Sequence, residues 1–215
     1  MANQNPNDQT PKLFGPQFES ISLSSIGVHL LFGEIDLNTS YDTVEFLLKA
    51  NMLLEDGFPL TMMINSAGGN VIDGWAIIDV MEMSRLPVST VAIGEIGSMG
   101  VLIFSAGTKG LRVLTPSTMI MAHQFSSETW GKMHELVAAR SMHDKLDNQF
   151  VQHFLKHSTM NEKQIRDILM GPSDRYLTSE ECIKYGLADQ IRGVWDWPTK
   201  PVIQPAQRKR KVKIA

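Results

Sequence analysis

Residues 90–107 read TVAIGEIGSMGVLIFSAG, and Ser98 stands there between two glycines with apolar runs on either side. A serine hydroxyl becomes a useful nucleophile when a base lies within hydrogen-bond reach and donors await the oxyanion. If SMGVLIFSAG is helical, Ser98 lies at its N-terminus, where unpaired N–H groups and the helix dipole favour developing negative charge. The flanking glycines let a substrate backbone approach closely. Ile96 stands where the nucleophile-elbow pattern needs its first glycine, so the stretch is not that motif. Close packing of a helix on a sheet uses the same Gly-Ser-x-Gly pattern, and the stretch alone does not separate the two.

A second small-residue loop, NSAGGNV (65–71), has a strand pattern before it and a helix pattern after it. Its N–H groups are suited to an anion, although it lacks the lysine of a P-loop and the spacing of a dinucleotide fingerprint. For a base the chain offers six histidines. His29 lies in an apolar strand; His134, His143, His153 and His157 fall on or at the end of a long helix, mostly beside charged residues, and read as a solvated face. His153 and His157 are spaced for a metal, but no third ligand stands near. His123 ends the run TMIMA and is therefore held at a strand terminus, where α/β proteins gather their sites. Asp174, in GPSDRYLT, is an acid that a loop could deliver to such a base.

The elements that must position these groups follow from periodicity. VHLLFGEI, LTMMIN, VSTVAI, LRVLTP and TMIMAHQ read as strands. NTSYDTVEFLLKANMLLE, with Val44, Leu47, Leu48 and Met52 at helical spacing, and VIDGWAIIDVMEMS read as helices. Strand–turn–helix recurs three times, which predicts an α/β fold. Residues 131–157 predict one long projecting helix with Met142, Leu146, Phe150 and Phe154 every four residues. NEKQIRDILM predicts a shorter helix stopped at Gly171-Pro172; TSEECIKYG carries a Thr178…Glu181 capping box and closes on Gly186.

The chain has 215 residues, 43% apolar and 20% charged, which suits one domain with a real core. The last fifteen residues hold five basic side chains and no acid, leaving 15 basic against 23 acidic residues, a net of −8, before them. The single cysteine, Cys182, excludes an internal disulfide, suits a reducing compartment and reads as packing. The polar start is not a secretory signal, and no apolar run reaches membrane-spanning length, so a cytoplasmic location is expected. Residues 1–20 are expected to be a flexible arm, 21–195 the domain, and 196–215 a basic flexible tail whose run at 208–213 is solvated.

From about residue 25 to 192 the chain resembles the ClpP family, the proteolytic subunits of Clp proteases. The landmarks GEI, INSAGG, GSMG and MAHQ occur in family order, and DRYLTSEECIKYGLADQI resembles the closing segment. The resemblance implies a ClpP/crotonase-like α/β fold in which residues 131–157 form the "handle" helix. It implies a serine endopeptidase with Ser98 as nucleophile, His123 as general base and Asp174 as orienting acid. Gly69 and Met99 would supply the oxyanion N–H groups, while Gly68, Asn70, Val71, Gln124 and Phe125 would bind substrate. It further implies heptameric rings, stacked in pairs, fed with unfolded polypeptide by an AAA+ unfoldase. That partner uses the ATP; no cofactor, metal, membrane or nucleic acid is expected for this chain.

Four departures from the family pattern stand out. Ala67 replaces the proline of NSPGG, and QFSSETWG follows His123 where the family has proline and a Gly-rich strand. Double rings less stable than usual are therefore expected. Ser173, not arginine, precedes the acid. Thr61, Met63 and Met83 occupy the docking-cleft positions that are usually aromatic, so an ATPase-independent, phage-type protease and a silent or partner-gated ring subunit are the alternatives. A crotonase-like thioester enzyme is the further rival; its chemistry needs no such triad.

Overall fold

The computed structural model describes residues 22–126 and 129–193. The expected arm and basic tail lie outside the described residues, as do Ser127 and Glu128 of QFSSETWG. Three strand–helix units open the chain: β1 (Val28–Phe32) and α1 (Leu37–Leu53), β2 (Leu60–Ser66) and α2 (Val71–Met83), β3 (Val88–Gly97) and α3 (Met99–Ser105). β4 (Arg112–Leu114) and β5 (Met119–Ala122) precede the long α4 (Met133–His157). Then come α5 (Glu162–Gln164), β6 (Arg175–Leu177), α6 (Ser179–Lys184) and β7 (Gln190–Ile191).

β1-β2-β3-β4-β7 form a parallel sheet in that order, and parallel neighbours need crossovers, which α1 and α2 supply to the first three strands. The expected α/β architecture is the one observed. β3 serves two partners: Thr90–Ala92 pair with β4, whereas Glu95–Gly97 pair with β5. Gly94, at φ +68°, turns the strand between them. A β-carbon there would lie 3.0 Å from Asn65 Oδ1, which accepts the Glu95 N–H at 3.2 Å. The register with β2 also shifts here, from Ile64↔Ala92 to Ser66↔Ile96, so residues 93–95 stand against Asn65 alone. Such a bulge re-aims the strand end.

The helices are set by their caps and their buried stripes. Asp36 and Thr39 form a capping box on α1, Asn70 caps α2, and the predicted Thr178–Glu181 box closes on α6. α1 buries Thr43, Phe46, Leu47 and Ala50, a stripe at i, i+3, i+4 and i+7. The predicted Leu48 and Met52 face outward at 51% and 83% exposure, because that stripe, rather than the most apolar side chains, meets α2 and the sheet. On α4, residues 133–138 are exposed and burial begins at Leu146, so its N-terminal half projects as expected; Met142 belongs to the exposed part. The predicted 161–170 helix is α5 followed by one π-helical turn, Ile165–Leu169. β6 and β7 were not expected as strands, having only three and two residues.

Phe104, Leu31, Ile35, Leu47, Met62 and Ile77 lie in the centre of the core. Arg112 is 3% exposed and binds Asp189 through Nε at 2.9 Å and Nη2 at 2.6 Å, tying β4 to the segment entering β7. Cys182 is buried, and burial pushes its thiol up to about 12, so it packs and is not a nucleophile.

Candidate active site

The site is assembled by ladder registers at the C-terminal edge of β3. Gly97 ends that strand where a β-carbon would come within 2.8 Å of the Ala67 carbonyl oxygen. Ser98 follows with φ +49° and ψ −120°, the one non-glycine residue at positive φ among the described residues. A β-carbon in that region is strained by about 1–3 kcal/mol, a cost the surroundings must offset. They do so through the Ser98 N–H, which donates to Met121 O at 2.9 Å, and through α3, whose seven residues are all buried. Ser98 is the N-cap of α3, yet its hydroxyl makes no capping bond. An N-cap serine ordinarily spends its oxygen on the first turn; this one leaves it available.

Two N–H groups lie beside it. Met99 is the first residue of α3 and has no intrahelical acceptor. Its side chain packs on Gly74 of α2, where a β-carbon would fall 2.3 Å from Met99 Cγ. Gly69 pairs with Ile35 as an isolated parallel bridge: Gly68 O accepts the Ile35 N–H at 2.8 Å, and the Asn70 N–H donates to Ile35 O at 2.7 Å. Successive residues of an extended chain point their polar groups to opposite sides, so the Gly69 N–H faces away from Ile35. Gly69 cannot carry a side chain here, because its β-carbon would sit 2.3 Å from Ile35 O. The loop leans on the serine itself: a β-carbon on Gly68 would lie 2.7 Å from Ser98 Cβ and 3.0 Å from Met99 N.

The parallel β3–β5 ladder, Gly97↔Met121, puts Ser98 beside the end of β5 and hence beside His123. The antiparallel β5–β6 ladder runs Ile120↔Leu177, Met121↔Tyr176, Ala122↔Arg175. One step further places His123 against Asp174. His123 Nδ1 is 3.6 Å from Asp174 Oδ1, an ion-pair distance longer than a hydrogen bond, with side chains 26% and 57% exposed. Asp174 is on a loop, as expected, one residue before β6 and so at the mouth of a two-stranded ribbon. Ser98 and His123 line one narrow cleft whose other walls include Val71, Phe125, Phe150, Phe154 and Met170.

The remaining expected residues divide. Val71 and Phe125 line the cleft, and Gly68 borders it. Asn70 Oδ1 accepts from the Ile72 and Asp73 N–H groups, which commits that side chain to capping. Gln124 opens instead onto a polar cleft beyond His123, with Arg140, His143 and Asp144. Of the three docking positions, Thr61 is buried, Met63 half-buried and Met83 80% exposed. The solvated reading of His153 is overturned. It is 5% exposed, its Nε2 lies 2.9 Å from Ser105 Oγ and 3.0 Å from Leu102 O, and burial, followed by the nearby His157, lowers its pKa to about 3. His157 is held to Glu82 at 3.0 Å. Among the described residues no group of three His, Cys, Asp or Glu side chains is placed to hold a metal. Ser66 and Asn65, absent from the expected site, brace the Gly68–Gly69 loop and the β3 bulge; their adjacency to the Gly-Gly pair was the available signal.

A mostly parallel sheet built from repeated strand–turn–helix units, with helices packed on it, is an α/β fold of the ClpP-like kind. Residues 23–194 match the family model for Clp protease, and the chain belongs to that family. A relative in Deinococcus radiodurans, the ATP-dependent Clp protease proteolytic subunit, is 38% identical over 133 residues, 61% of this chain and 64% of that protein. No helix among the described residues is long and apolar enough to cross a membrane.

Proposed function

We propose that the chain is a Clp-type serine endopeptidase subunit that cleaves unfolded polypeptides within an oligomeric ring, supplied by an AAA+ unfoldase. The observation carrying this reading is the convergence of Ser98, His123 and Asp174 through the β3–β5 and β5–β6 ladders, with the hydroxyl uncommitted. In this mechanism His123 takes the Ser98 proton as the oxygen attacks a peptide carbonyl. The Gly69 and Met99 N–H groups receive the oxyanion; one such donor is worth roughly a hundredfold or more in rate. His123 protonates the leaving amine, and water, activated by the same imidazole, releases the acyl group. Asp174 holds the imidazole tautomer that leaves Nε2 free for the serine. The apolar cleft walls favour an apolar side chain next to the scissile bond.

Fluorophosphonate labelling of wild type, Ser98→Ala and His123→Ala tests this. Labelling confined to the wild type is expected; an assembled wild type that does not label refutes an activated serine. One observation supports a second reading, a partner-gated subunit. The 3.6 Å separation of His123 from a half-exposed Asp174 leaves the triad unlocked within one chain. Labelling that appears only after a ring or unfoldase partner is added would select it.

A further inference from the structure

We propose that Ser66 is a positioning residue for the oxyanion-binding loop: by accepting the Gly68 N–H, its hydroxyl holds the incoming peptide of the loop in place, while the Ile35 N–H on Gly68 O orients the next peptide, whose N–H is that of Gly69. The inference rests on the reading of Ser98 as nucleophile. Ser66 is the last residue of β2, is 3% exposed, and its Oγ lies 3.1 Å from the Gly68 nitrogen. Gly68 and Gly69 are held at φ +103° and +148°, a path no ordinary turn imposes on its own. On the outgoing side the loop is anchored by the two bonds to Ile35. On the incoming side Ala67 is exposed, and among the described residues its N–H donates no hydrogen bond. Alanine leaves φ free where a proline would fix it. The Ser66 hydroxyl is thus the restraint on that side.

Ser66 also lies against the first turn of α3. Its carbonyl oxygen lies 2.9 Å from the point a β-carbon on Gly100 would occupy, in the first turn of α3 just after Met99. Ser66 therefore contacts both backbone segments that carry the donors, through its hydroxyl at Gly68, one residue before Gly69, and through its carbonyl at Gly100, one residue after Met99. Donors that must meet an oxyanion lose their effect with small displacements, and a shift near 1 Å removes on the order of a hundredfold in rate.

The test uses the assembled full-length protein and a short chromogenic peptide. Ser66→Ala is expected to lower kcat roughly ten- to a hundredfold with KM within about twofold, because the interaction acts in the transition state. Fluorophosphonate should still label it to completion, more slowly. Adding Ala67→Pro to Ser66→Ala should return most of the lost kcat by stiffening the same side of the loop. Ser66→Cys, close to serine in size but a weak acceptor, should fall between wild type and Ser66→Ala, and keeps the test decisive if the alanine variant does not fold. Wild-type kcat in either single variant, a change confined to KM, or a loss that proline does not restore overturns the proposal. A wild type that fails to label refutes the nucleophile itself, which is a different result from a Ser66→Ala that labels at the wild-type rate.

Discussion

α3 carries a serine at each end, and each has a histidine beside it. At its C-terminal end Ser105 Oγ is 2.9 Å from His153 Nε2, an ideal separation for general-base catalysis. At its N-terminal end Ser98 shares a cleft with His123. The hydrogen-bonded pair is the packed one. Ser105 is fully buried and donates to Leu102 O at 2.9 Å, and His153, lowered to about 3 by burial, has no proton affinity to offer at neutral pH. No carboxylate among the described residues hydrogen-bonds to its ring. Ser98 has a strained backbone that exposes its oxygen, N–H groups without partners, a half-buried base and a carboxylate behind that base. A serine–histidine distance is thus a poor criterion by itself; access, basicity and oxyanion donors separate catalysis from packing.

The comparison breaks most readily at the nucleophile. Ser98→Ala should abolish peptide cleavage, a loss of ~10⁴-fold or more, while Ser105→Ala leaves kcat within about twofold; equal losses in the two would erase the distinction. Asp174→Asn should lower kcat roughly a hundredfold by releasing the imidazole, less than for a buried acid because Asp174 is 57% exposed. Its rate in a stopped peptide assay would show whether the ribbon geometry orients His123.

The buried pair is sharpened by acid. His153 has a folded pKa near 3 against about 6.5 when unfolded, so only the unfolded chain takes up the proton between those values. Its contribution is fully present above pH 6.5 and is lost as pH falls toward 3, about 3 kcal/mol by pH 4. His153→Gln should shrink the difference between denaturant midpoints at pH 7 and pH 4, although His29, also lowered by burial, keeps some slope. Parallel pH profiles for the two proteins would refute the assignment. The smallest effect is expected from Ser105→Ala, about 1 kcal/mol of stability, read from the same denaturation curves.

What the sequence disclosed depended on the range of the interaction. The three strand–helix units were legible because LTMMIN and VSTVAI are apolar runs cut by SAGG and GEIG, and the Thr178–Glu181 cap because it is contained in four residues. His153 was misread because the partners that bury it, Trp75, Leu102 and Ser105, come from α2 and α3, and because it was grouped with the other histidines of the long helix although Phe154 and Val151 stand beside it in sequence. Leu48 and Met52 fit a helical period but not the stripe centred on Phe46 and Leu47. Its loop made Asp174 a plausible acid, and the resemblance singled it out. The physical basis of its position is the β5–β6 register, and RYL is too short a strand to betray itself.

The fork in β3 has a geometric consequence. Beyond Gly94 the strand leaves β4 and takes up β5, so His123 and Asp174 ride together on the β5–β6 ribbon, while Ser98, Gly69 and Met99 belong to the main sheet and its helices. On the proposed function, base and acid thus stand on one side of a seam in the sheet, and nucleophile and oxyanion donors on the other. A single backbone bond, Ser98 N–H to Met121 O, stitches the serine across that seam, and Tyr176, exposed on the ribbon opposite Met121, marks the outer face of the stitch.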